Sequence, residues 1–232
     1  MLIRLFTSTV GRKFIMAATG TLLFVFVLTH MIDNLHFFLG QEALNHYGDF
    51  LHNLEILWPL RAGLLTVVVL HIWSAASLAR DNIRARPVPY AQWDPTKATY
   101  ASRTMVWSGP IVAAFVIYHL LHYTVQIKGI NLTGQDFHTF IDSKGRHDIY
   151  RMIATGFSQP VVAISYIVAM ALLCIHLDHG IAAGFQSVGW RNHAYRTLVE
   201  RAGRLVAWII FIGFASIPVS VLVFGYGKEV VK

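Results

Sequence analysis

Apolar residues run through this chain in long blocks separated by short polar connections. Five blocks come near or exceed the roughly 20 predominantly apolar residues that carry a helix across a bilayer. They lie at 14–35, 57–79, 104–127, 159–184 and 205–224. The fourth is the least clean, because Asp178 and His179 interrupt its end. No block alternates in the manner of a barrel strand. The predicted fold class is therefore all-α, a polytopic membrane protein with five transmembrane helices in one domain spanning 1–232. Between the first two blocks, Leu44, Tyr47, Leu51 and Leu54 recur at helical spacing and predict a short helix lying at the membrane interface.

Composition agrees with that pattern. Of 232 residues, 55% are hydrophobic and only 13% charged, and the mean hydropathy is +0.52. Those values exclude an ordinary soluble domain. The net charge of +7 does not point to nucleic acid, because the basic residues gather in alternate connections. Arg4, Arg12 and Lys13 precede the first span; Arg80, Arg84, Arg86, Lys97 and Arg103 follow the second; Arg191, Arg196, Arg201 and Arg204 precede the fifth. The connection from Asp33 to Ile56 has no Lys or Arg. The positive-inside rule then sets the N-terminus in the cytoplasm and the C-terminus outside.

The basic start before an apolar run resembles a signal peptide, but no small-residue cleavage site follows, so the run is expected to remain as the first helix. The connection after the second span carries Pro87, Pro89 and Pro95 with Tyr90, Trp93 and Tyr100, a composition for interfacial aromatics or a docking surface and not for a continuous helix. The sequon at Asn131, Leu132 and Thr133 has meaning only in a glycosylating compartment. The single cysteine, Cys174, excludes an internal disulfide and an iron–sulfur cluster ligated by this chain's cysteines alone.

Histidine carries the candidate chemistry. The first four spans hold His30, His71, His119 with His122, and His176 with His179, while the fifth holds none. A titratable ring in hydrocarbon is costly unless it has a partner or a role. Depth indicates which rings can meet. At about 1.5 Å per residue, His30 lies roughly 8 Å and His119 roughly 12 Å from the outer ends of their helices, and His71 and His176 each lie roughly 12 Å from the inner ends. Two histidines from different helices at one depth, twice over, is the ligand arrangement for two haems held in a four-helix core. Imidazole ligates as the neutral ring, so surroundings that penalise a charged histidine suit a ligand. Ala17, Ala18, Thr19 and Gly20 on the first helix, and Ser74, Ala75, Ala76 and Ser77 on the second, leave room for a flat ligand or for close helix packing. Arg61 is placed for propionates of an outer haem, and Ser102 and Arg103 for those of an inner one; topology anchoring explains the arginines equally. Two other readings stay open on spacing alone. The pairs at i,i+3 could bind a divalent ion in a transporter, or the histidines could be structural.

The sequence also resembles the single-chain, five-helix, di-haem cytochrome b membrane anchor of succinate dehydrogenase and fumarate reductase. The likeness covers nearly the whole chain. It is carried by VGRKFIMAATG from Val10, THMIDN around His30, WPLR before the second span, LHIWSA around His71, SRTM from Ser102, YHLL around His119 and IHLDHG around His176. The resemblance implies His30 and His119 as ligands of one haem b, and His71 and His176 as ligands of the other. It leaves His122 and His179 as neighbours that bond propionates or pack. It further implies flavoprotein and iron–sulfur subunits as partners, a quinone such as menaquinone as substrate, and a bacterial or archaeal cytoplasmic membrane as location. His52, Glu55 and Arg61 are the candidates for the quinone. The runner-up reading is the cytochrome b of a quinone-linked hydrogenase or formate dehydrogenase.

Overall fold

The computed structural model describes residues 2–85, 88, 100–190 and 194–231, without the side chains at 2 and 100–102. The side chain of Ser102 and the proline-rich stretch with Pro87, Tyr90, Trp93 and Pro95 therefore lie outside the described residues. Among the described residues eight α-helices follow in order: α1 Leu2–Thr7, α2 Thr9–Asn34, α3 Gln41–His52, α4 Leu57–Arg84, α5 Tyr100–His119, α6 Ile149–Phe157, α7 Pro160–Ser187 and α8 Arg196–Phe224. No strand occurs among the described residues, where Ile141 and His147 make an isolated antiparallel bridge.

Five of these helices are long and apolar enough to cross a membrane, which by length and composition makes the chain an integral membrane protein. Their large side chains are exposed along much of their length, among them Leu22, Leu65, Ile117, Val161 and Ile212. Such surface suits lipid and not water.

Local chemistry sets the boundaries. The Ser8 hydroxyl accepts from the Gly11 amide at 3.0 Å and caps α2. A Cβ on Gly11 would strike the Leu5 carbonyl, so glycine permits the break between α1 and α2. α2 runs on as a 3₁₀ turn over Leu35–Leu39, which Gly40 ends at φ 93°, a value that favours glycine. Pro59 sits in the first turn of α4, where its missing N–H costs nothing. α5 contains Pro110 and widens into a π turn over Leu120–Thr124. The connection between the third and fourth spans contains α6, whose N-cap Asp148 accepts from the Arg151 amide. Tyr150 and every residue from Met152 to Phe157 are buried.

The helices contribute to two compact units. The first comprises residues 1–27, 59–109 and 175–207; the second comprises 28–58, 110–174 and 208–232. In the first, Arg12 pairs with Asp81 at 2.5 Å, and Arg204 meets Asp178 at 3.5 Å. In the second, Phe37, Leu44, Tyr150, Ala154, Val162, Ala163, Ile217 and Val221 share a core.

A polar cap belongs to the second unit. Arg146 bonds Glu42 at 2.8 Å and Asp142 at 2.7 Å, and Lys144 bonds Glu42 at 2.7 Å. Hydrogen bonds from Arg146 and Lys144 hold the Glu42 carboxyl down at about 2. Burial pushes Asp142 upward, but hydrogen bonds from Arg146, Lys144 and Asn45 outweigh it and leave its carboxyl also at about 2. Burial and the Asp33 carboxylate push the Tyr47 phenol up to about 12. Fully buried Asn45 donates to Asp148 at 2.9 Å and accepts from the Tyr150 amide at 3.0 Å. Asn131 is fully buried as well, its side chain bonded to Thr133 and to the Gln135 carbonyl. The sequon is thus a loop brace and not a reachable glycan acceptor.

Candidate functional site

In the first unit, α4 carries His71, and α2 carries Thr19 and Gly20 against it. The Thr19 hydroxyl donates its one proton to the Ile15 carbonyl at 2.7 Å, as a threonine in a helix interior commonly does. Its oxygen is also 3.1 Å from His71 Nδ1; with the hydroxyl proton on a backbone carbonyl, the ring is the donor in that contact. With the proton on Nδ1, a neutral His71 carries its lone pair on Nε2. Gly20 completes the cradle, since a Cβ there would come within 3.3 Å of His71 Cε1.

His176 on α7 has a matching environment from α5. The Ser108 hydroxyl, buried, stands 3.4 Å from His176 Nδ1, and a Cβ on Gly109 would lie 3.9 Å from His176 Cε1. Each half-buried histidine thus has a hydroxyl on one nitrogen and a glycine beside its edge. That leaves a flat group free to approach.

In the second unit, the rings of His30 on α2 and His119 at the end of α5 meet with centroids 5.9 Å apart and planes at 76°. An iron bound at about 2 Å to one nitrogen of each of two imidazoles places the ring centroids roughly 6 Å apart. The residues present fit that group. The Asn34 amide donates to the His30 carbonyl at 2.7 Å and lies 3.3 Å from both nitrogens of the His30 ring, and Phe214 lies 5.8 Å from the ring on another side. His119 Nδ1 is 3.4 Å from the Tyr166 hydroxyl, which is also 3.0 Å from Nδ1 of His122. His122 is fully buried and stacks on Tyr123 at 3.9 Å. Its Nε2, the Tyr123 hydroxyl and the Thr155 hydroxyl are buried without hydrogen-bond partners among the described residues.

The remaining sequence candidates are less engaged with these pairs. His52 and Glu55 are exposed in the second unit, and Arg61 and Arg103 are exposed in the first. His179 is half-buried on α7. Among the described residues, no three His, Cys, Asp or Glu side chains converge as a protein-only metal site would require.

Sequence reasoning found the four histidines but missed Ser108, Tyr166 and Asn34, and took Thr19 only as a small residue. One signal was available. Tyr166 is the sole tyrosine of α7, and a buried tyrosine usually directs its hydroxyl at a partner. No family model, no curated protein and no solved structure matches the chain.

Proposed function

We propose that this chain is the di-haem cytochrome b anchor of a succinate:quinone oxidoreductase, passing electrons between an iron–sulfur partner and a membrane quinone. The observation that carries the reading is the meeting of His30 and His119, from two different membrane-length helices, at a ring separation of 5.9 Å. His71 and His176 in the first unit repeat the theme of a histidine beside a hydroxyl, with Thr19 3.1 Å from His71 Nδ1 and Ser108 3.4 Å from His176 Nδ1.

Haem b would supply a one-electron carrier at each pair. The chain's own contribution is to bind and orient. Four imidazoles offer nitrogen ligands, Thr19, Ser108 and Tyr166 engage their Nδ1 atoms, and the apolar helices keep bulk water away. Donor sets of two suit an iron already held by four pyrrole nitrogens. A divalent ion in transit needs more ligands from the protein.

The remainder of the reading follows from the resemblance. A flavoprotein handles the dicarboxylate, an iron–sulfur subunit docks on the basic cytoplasmic connections, and the quinone binds within the membrane, with His52, Glu55 and Arg61 as its candidate contacts. Purification of the complex from its native membrane tests this directly. Expected are a flavoprotein and an iron–sulfur subunit bound to this chain, and reduction of a b-type spectrum by succinate. Co-purification with a hydrogenase or formate dehydrogenase subunit, and no reduction by succinate, would overturn it in favour of the runner-up.

A further inference from the structure

Two histidines stand close together at the end of α5: His119 meets the His30 ring, and His122 is fully buried three residues further on. Tyr166 contacts both. Its ring is fixed by edge contacts with Phe115 at 4.9 Å and Phe157 at 5.0 Å, and its hydroxyl lies 3.4 Å from His119 Nδ1 and 3.0 Å from His122 Nδ1. A phenol has one proton, so it donates to one of these nitrogens and accepts from the other. The direction of that pairing fixes the tautomer of each ring.

We propose that Tyr166 is a positioning residue that fixes the tautomer in which His119 can ligate haem in the second unit and leaves His122 outside the ligand set, an inference that rests on the haem reading above. A neutral His119 that ligates through Nε2 carries its proton on Nδ1, and it donates that proton to the Tyr166 oxygen. The phenol proton then goes to His122 Nδ1. Neutral His122 must therefore hold its own proton on Nε2, which removes the lone pair a metal would need there. The backbone contributes as well. The π turn over Leu120–Thr124, closed by the Val125 amide on the Leu120 carbonyl at 2.7 Å, rotates His122 away from the direction an α-helix would give it. Such π turns often mark functional positions.

The test combines haem content, redox titration and low-spin electron paramagnetic resonance on the purified complex, for wild type, Tyr166→Phe and His122→Phe. Tyr166→Phe keeps the ring contacts and removes only the hydroxyl. Expected are two haems per chain, with the signal and midpoint potential of one haem displaced and those of the other unmoved. The displacement is towards more positive potential, because an imidazole that loses its Nδ1 acceptor becomes a weaker donor to iron. His122→Phe should also keep both haems and shift the same one, by less and in the same direction. It decides the question alone if Tyr166→Phe does not accumulate. Unchanged potentials in Tyr166→Phe with both haems present, or loss of a haem in His122→Phe, would overturn the assignment of Tyr166. A wild-type complex without haem would instead overturn the functional reading on which it rests.

Discussion

What holds one nitrogen of a buried imidazole decides what the other can do. His71 is the clearest case: with the Thr19 proton on the Ile15 carbonyl, the ring donates to Thr19 through Nδ1. Groups that orient a ligand in this way typically affect metal affinity by about 10–100-fold. Thr19→Val keeps the shape and removes the acceptor, and is expected to speed haem loss from one site by about 10-fold, read as transfer to an apoglobin. Gly20→Leu should act more strongly, since a Cβ alone reaches within 3.3 Å of His71 Cε1; expected is loss of one haem with the other retained, and retention of both would show that the cradle is not needed. The histidines could be found in the sequence because a titratable ring stands out in an apolar run. The hydroxyls that hold them could not. Which side chain faces a given histidine depends on helix rotation, and a helix apolar all round carries no stripe from which rotation can be read.

At the scale of elements, length made the long helices legible and concealed α6. Nine residues are too few to register as a span, and the burial of α6 comes from the packing of Phe37, Leu44 and Val162 around it. The short α3 was legible because Leu44, Tyr47 and Leu51 repeat at helical spacing. Asn45 joins this helix to the start of α6, donating to Asp148 and accepting from the Tyr150 amide. Asn45→Ala leaves buried polar groups without partners, and a loss of about 1–3 kcal/mol is expected, read as a lowered thermal midpoint. The cap also carries a pH dependence. Glu42 and Asp142 have carboxyls depressed to about 2 by Arg146 and its neighbours. Their contribution is fully present above the ordinary carboxylate range near about 4 and is lost as pH falls towards about 2. Proteolysis of the loop from Asp136 to Asp148 should be flat from neutral pH to about 5 and rise below about 4. In Arg146→Ala that acid step should shrink, and an unchanged step would show that the ion pairs contribute nothing to the order of the cap.

At the scale of the whole molecule, hydropathy alone was enough to place five membrane-length helices, and the structure extends several of them. α4 runs to Arg84 and α8 begins at Arg196, so basic residues continue helices that the apolar blocks left shorter. The cost of an unsatisfied backbone in lipid makes helices obligatory there, and their length is what a sequence shows best. Function at this scale depends on whether the histidine pairs hold what their geometry fits. The most direct measurement is haem per polypeptide on the purified chain, by pyridine haemochrome, in wild type and in single alanine substitutions of His30, His71, His119 and His176. Expected are two b haems in wild type and about one in each variant, the ligand count for two six-coordinate irons. A folded protein without haem, or one whose haem content is indifferent to these four substitutions, would contradict the assignment.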